Sequence, residues 1–168
     1  MPKIIENLES RLIAEAKKQV EEQGYGAVTI RSVANACGVG VGTVYNYFPS
    51  KDDLLAAYML QDWKSRLEVV KEMGVQESDP VAVLQCMYHQ IHGFAERYQV
   101  IFRDPEARAG FAPSYTRYHM VLRSQLSECI RKFCDSEFTA DFIGEAFFTW
   151  TLSGKSFDDI YGIIGKLL

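Results

Sequence analysis

Residues 29–51 read TIRSVANACGVGVGTVYNYFPSK, and no other stretch constrains the fold as tightly. It holds two short apolar-faced runs separated by Cys37-Gly38-Val39-Gly40. Ile30, Val33, Ala34 and Cys37 recur at helical spacing and give the first run an inner face. Thr29 is a natural N-cap for it. Gly38 stands where the chain must turn, and a positive φ is cheap only for glycine. Val39, Val44 and Phe48 anchor the second run, and Pro49 stops it because proline disfavours helix at the residue before it. Two short helices joined by a tight turn, with Ala34 small enough for close approach, make a helix-turn-helix. Gly40, Val41, Gly42, Thr43, Tyr45, Asn46 and Tyr47 are left on the outer side. A short helix that begins with small residues can enter a major groove.

The rest of the chain repeats the helical period. Residues 4–23 put Ile5, Leu8, Leu12, Ala16 and Val20 on one stripe, closed by Gly24 and Gly26. Ser50-Lys51-Asp52-Asp53 resembles a capping box and opens a long helix with Leu54, Tyr58, Trp63, Leu67 and Val70, which Gly74 should end. Asp79-Pro80 and Asp104-Pro105 each pair an N-cap with a proline at the first helical position. They open a helix to about residue 103 and a short one before Gly110. Further helices are expected over about 113–134, about 138–152, and beyond Gly154. The expectation is an all-α fold of about nine helices. A three-helix headpiece (1–50) is joined by a connector helix (51–73) to a helical body (51–168).

Composition narrows the function classes. The chain has 168 residues, 48% hydrophobic and 24% charged, enough to bury a core. No apolar stretch is long enough to span a bilayer, and the first residues lack the apolar core of a signal peptide, so a cytoplasmic protein with no membrane partner is expected. The four cysteines form no CxxC pair and read as reduced thiols. With a net charge of −4, any nucleic-acid surface must be local. Residues 1–60 hold six basic side chains (Lys3, Arg11, Lys17, Lys18, Arg31, Lys51) against seven acidic ones, which implies a shallow salt dependence of DNA binding. No GxSxG, Walker loop, dinucleotide fingerprint or HExxH occurs, so no enzyme and no cofactor are expected.

The run Gly42-Thr43-Val44-Tyr45-Asn46-Tyr47-Phe48-Pro49-Ser50-Lys51-Asp52-Asp53-Leu54-Leu55, preceded by the Ala–Gly turn, resembles the DNA-binding signature of the TetR family of bacterial transcriptional regulators. The resemblance covers about residues 8–60. It implies a homodimer on a palindromic double-stranded DNA operator, most often a repressor released by a small effector. It also implies phosphate or groove-edge contacts from Thr29 and Arg31, base-proximal positions at Val41, Gly42, Thr43 and Tyr45, backbone contacts from Asn46, Tyr47 and Lys51, and a place for Gly40 in the DNA-binding surface. Two departures stand out: relatives often have Ser or Thr where Gly40 stands, and Lys or Arg where Val41 stands. A constitutive DNA-bound interaction protein without an effector is the alternative.

The body resembles the family only in helix count and order. Its rings suggest walls for a small hydrophobic or aromatic effector, with Trp63, Tyr88, His92, Phe102, Phe111, Tyr115, Tyr118 and Phe147 as candidates; ordinary core packing is the competing account of each. The dimer seam is expected on the last two helices at Phe142, Ala146, Phe157, Ile160, Ile164 and Leu167; intrachain core is the competing account of these stripes, and one helix can serve both. Cys86-x-x-His89-x-x-His92 has donors suited to zinc or copper. Steps of three drift round the helix, however, so the histidines are expected to be solvent-facing or satisfied and no metal is assigned.

Overall fold

The computed structural model describes residues 7–168; the side chains of residues 100, 102, 108 and 110–118 lie outside the description. Among the described residues there are eight α-helices and two 3-10 turns and no strand. The helices are α1 (Leu8–Gln23), α2 (Ile30–Cys37), α3 (Val41–Tyr45), α4 (Lys51–Gln76), α5 (Pro80–Arg103), α6 (Pro105–Ile130), α7 (Glu137–Leu152) and α8 (Phe157–Ile164). The turns are Tyr25–Ala27 and Arg131–Phe133. No described helix is long and apolar enough to cross a membrane. Lys3 and Ile5 lie outside the described residues.

The chain forms two compact units, Met1–Gln61 with Val100–Ser114, and Asp62–Gln99 with Tyr115–Leu168. In the first, Leu12, Ala16, Val28, Val33, Ala34 and Val44 are fully buried. In the second, Trp63 meets Phe94 and Phe148 edge-on, at 5.4 and 5.9 Å between ring centres. Met87, Ile91, Leu126, Ile130, Ile143 and Phe147 are buried in the same unit. Each large apolar side chain withdrawn from water contributes about 1.5–3 kcal/mol.

The expected caps form. Asp79 Oδ1 accepts from the Val81 amide at 3.0 Å, and Asp104 Oδ1 from the amides of Glu106 and Ala107. Two helix ends differ from expectation. Gly74 lies inside α4, which runs on to Gln76. A Cβ there would come within 3.1 Å of the Cys129 carbonyl oxygen, so this glycine permits a close approach and does not cap. The short helix before Gly110 and the one from 113 are a single helix, α6. An internal proline removes one hydrogen bond and kinks a helix, but it ends the helix only if nothing holds the following turns. Here Leu122, Leu126 and Ile130 hold them in the core.

The expected dimer-seam residues divide. Phe142 and Leu167 are exposed, Ala146 and Phe157 are half-buried, and Ile160 and Ile164 are buried in the chain's own core at 4% and 2% exposure. The apolar side chains that α7 and α8 do present are Phe138, Phe142, Trp150 and Ile163, the last 70% exposed. The period of α8 was legible, but not which side of it met the body.

Candidate nucleic-acid interface

The interface is built on α2 and α3. Thr29 has an extended backbone, and its Oγ1 accepts from the Ser32 amide at 2.9 Å, while Ser32 Oγ accepts from the Thr29 amide at 3.0 Å. This reciprocal cap satisfies two of the amides that a helix start leaves open. Ser32 Oγ also donates to Gln19 Oε1 at 2.6 Å, which ties the start of α2 to α1. At the other end Gly38 adopts φ 69°, ψ 32°, and Arg11 Nη2 donates to the Cys37 carbonyl at 2.9 Å. Burial pushes the Cys37 thiol up, Glu15 adds to this, and Arg11 opposes it. α2 is thereby clamped at both ends before α3 begins.

α3 stands on Val44, fully buried, and on Phe48 just beyond it. Tyr47 and Phe48 amides both reach the Val44 carbonyl at 2.9 Å, which closes the helix in a tight last turn. The opposite side is open. Tyr45 is 52% and Tyr47 41% exposed; Arg31, Gly40, Gly42 and Asn46 are exposed, and Val41 and Thr43 half-buried. A Cβ added at Gly42 would meet nothing within 4 Å, and one at Gly40 only Thr43 Oγ1 at 3.7 Å. Neither glycine has a positive φ, so neither backbone geometry nor packing demands glycine there.

Lys51 opens α4. Ser50 caps this helix, its Oγ accepting from the Asp53 amide at 3.1 Å and donating to Asp53 Oδ2 at 2.7 Å. Lys51 Nζ lies 3.8 Å from the centre of the Tyr25 ring and 3.4 Å from the Tyr25 carbonyl oxygen. Tyr25, in the 3-10 turn between α1 and α2, is 4% exposed and donates its hydroxyl to Asp52 Oδ1 at 2.5 Å. Burial, then that bond, then the charges of Asp52, Asp104 and Glu106 raise its pKa, so the hydroxyl stays protonated. Tyr25 was missed in the sequence reading. The one available signal was an aromatic ring between Gly24 and Gly26, a turn where little else could fill the core.

The candidate effector residues are less uniform. Trp63 and Phe147 are buried core, while Tyr88 stacks on His92 at 5.6 Å and donates to the Lys155 carbonyl at 3.2 Å. Phe102, Phe111, Tyr115 and Tyr118 lie outside the residues with described side chains. His89 is exposed against Tyr88, and His92 is 3.6 Å from Glu96. Among the described residues no group of three or more His, Cys, Asp or Glu is placed to hold a metal ion.

Residues 12–58 match the family model of bacterial regulatory proteins, tetR family. The HTH-type transcriptional regulator HbdR of Aromatoleum sp. (strain CIB) is 41% identical over 54 residues, 32% of this chain and 24% of that protein. The HTH-type transcriptional repressor AcnR of Corynebacterium glutamicum is 30% identical over 71 residues, 42% of this chain and 38% of that protein. The chain thus spans well under half the length of these relatives. Among solved structures, SCO7518 of Streptomyces coelicolor A3(2) superposes with a TM-score of 0.68 at 17% identity, covering 96% of this chain and 98% of that one. Thermus thermophilus FadR, a TetR family repressor solved with lauroyl-CoA, gives 0.63 at 21% identity, covering 95% and 92%. Residues 12–58 thus match the DNA-binding segment of the bacterial regulatory proteins of the tetR family, and the chain as a whole shares its all-helical fold with solved structures such as SCO7518.

Proposed function

We propose that the chain binds a palindromic operator as a homodimer and releases it when a small apolar or aromatic effector binds the body. The observation that carries the DNA-binding part is the outer side of α3: Tyr45, Asn46, Tyr47 and two glycines with open space where a Cβ would be, held on buried Val44 and Phe48. On this reading Val41, Gly42, Thr43 and Tyr45 approach base edges, with Gly40 at the entry. Arg31, Thr29, Asn46, Tyr47 and Lys51 contact the phosphate backbone. The Thr29 hydroxyl caps through its oxygen and can still donate its hydrogen to a phosphate.

Two headpieces on one operator require a two-fold dimer, with half-sites about 34–36 Å apart or a multiple of it. The seam suggested by exposure is Phe138, Phe142 and Trp150 of α7 with Ile163 of α8 and Leu167 just beyond it, because exposed apolar clusters of this kind mark association surfaces. The effector reading draws on the ring-rich body and on the acyl-CoA relative. An effector that favours the DNA-incompetent state by about 1.4 kcal/mol weakens operator binding tenfold.

The test is selection of bound fragments from random DNA, followed by fluorescence anisotropy on the best site at moderate salt. A two-fold-symmetric site bound far more tightly than scrambled DNA is expected. Equal binding to all sequences by a folded dimer counts decisively against the reading.

A further inference from the structure

Lys51 is a lone flexible ammonium next in sequence to Asp52 and Asp53, two carboxylates able to neutralise it. Among the described residues no ion pair joins it to either. Asp53 is engaged by Ser50 through a 2.7 Å hydroxyl bond, and Asp52 accepts the Tyr25 hydroxyl. The same tyrosine receives the Lys51 ammonium on the face of its ring, 3.8 Å from the centre, with its carbonyl oxygen 3.4 Å away. One buried side chain therefore holds two consecutive residues of α4, the acid by its hydroxyl and the base by its ring. An ammonium over an aromatic face is attracted by the ring quadrupole without being neutralised. Its remaining donors stay available and its charge stays whole.

We propose that Tyr25 is a positioning residue for DNA binding: its ring holds the Lys51 ammonium, still charged, at the start of α4 as a preset contact for a backbone phosphate. This rests on the DNA-binding reading above. A lysine fixed in place before encounter gives up less side-chain entropy on binding than a free one. Its effect is independent of DNA sequence, because phosphate contacts orient the protein and base contacts discriminate.

The experiment measures the salt dependence of operator binding for the full chain and its variants. Each phosphate contact contributes about −0.9 to the slope of log K against log salt. Lys51→Met is expected to make the slope shallower by about 0.9 per bound subunit. Tyr25→Leu is expected to do the same, and Tyr25→Leu with Lys51→Met to go no further. Tyr25→Phe keeps the ring but releases Asp52, and is expected to give a slope between those of the wild type and Tyr25→Leu. Circular dichroism reports whether each variant folds. Should Tyr25→Leu fail to fold, phenylalanine and pentafluorophenylalanine at position 25 replace it, since their shapes agree and their ring quadrupoles are opposite. The fluorinated form is then expected to lose the part of the slope that the phenylalanine form retains. Wild-type slopes in Tyr25→Leu or the fluorinated form, or in Lys51→Met, overturn the proposal while wild-type binding still supports the DNA reading. A wild-type chain that binds no DNA overturns both.

Discussion

Gly42 in α3 and Gly144 in α7 are both helical glycines, and their surroundings are opposite. A Cβ at Gly144 would fall 2.6 Å from Ser127 Oγ, 3.1 Å from the Ser127 amide nitrogen and 3.3 Å from the Arg123 carbonyl oxygen. That glycine is required by the fold, because α6 and α7 touch there backbone to backbone. A Cβ at Gly42 would meet nothing. Glycine inside a helix costs about 0.5–1 kcal/mol relative to alanine, and at Gly42 no intramolecular contact offsets that cost. The α6–α7 region is built for its own stability. The α3 region is less stable than its neighbours would permit, which is the expected mark of a surface shaped for something outside the chain.

The sharpest test of this contrast is on α8, where the two kinds of position are adjacent. Ile164→Asp places an unpaired carboxylate at a 2% exposed site and is expected to remove several kcal/mol of stability, enough to unfold the chain in a thermal melt. Ile163→Asp, at a 70% exposed site, is expected to leave the helical spectrum intact and shift the sedimentation coefficient from dimer to monomer. Equal damage from both would erase the distinction between core and seam on this helix. Gly144→Ala comes next: overpacking of about 1–3 kcal/mol outweighs the gain in helix propensity, because two of the three clashing atoms are backbone. A raised melting temperature would show that α6 and α7 can separate at little cost. Gly42→Ala has the smallest effect on stability and the opposite sign, a gain of about 0.5–1 kcal/mol. It is expected to weaken specific operator binding about tenfold, or about 1.4 kcal/mol. Undiminished affinity would mean that the open space beside Gly42 has no function.

Local physics made much of this molecule legible. Thr29, Asp79 and Asp104 cap because a side-chain oxygen within three residues of a bare amide needs no distant partner. Gly38 turns left-handed because its own backbone demands it. The inner positions of the helix-turn-helix followed from the helical period, and the outer ones by subtraction. Where the reading missed, the missing fact was a neighbour distant in sequence. Gly74 looked like a stop, but the Cys129 carbonyl makes it a close-contact residue. Gly110 looked like a break, but α6 runs through it to Ile130, its later turns held by buried Leu122 and Leu126. Ile160 and Ile164 fitted either a seam or the chain's own core, and the body covers them.

The amino-acid order alone determined the all-helical class, the run of helices and the position of the helix-turn-helix, since periodicity, caps and breaks are interactions among residues a few places apart. Only the tertiary structure decided which apolar faces stay uncovered, which glycines the fold needs, and that Tyr25 receives Lys51 from the start of α4. Those are properties of two surfaces that meet, and a single stretch of sequence encodes one of them.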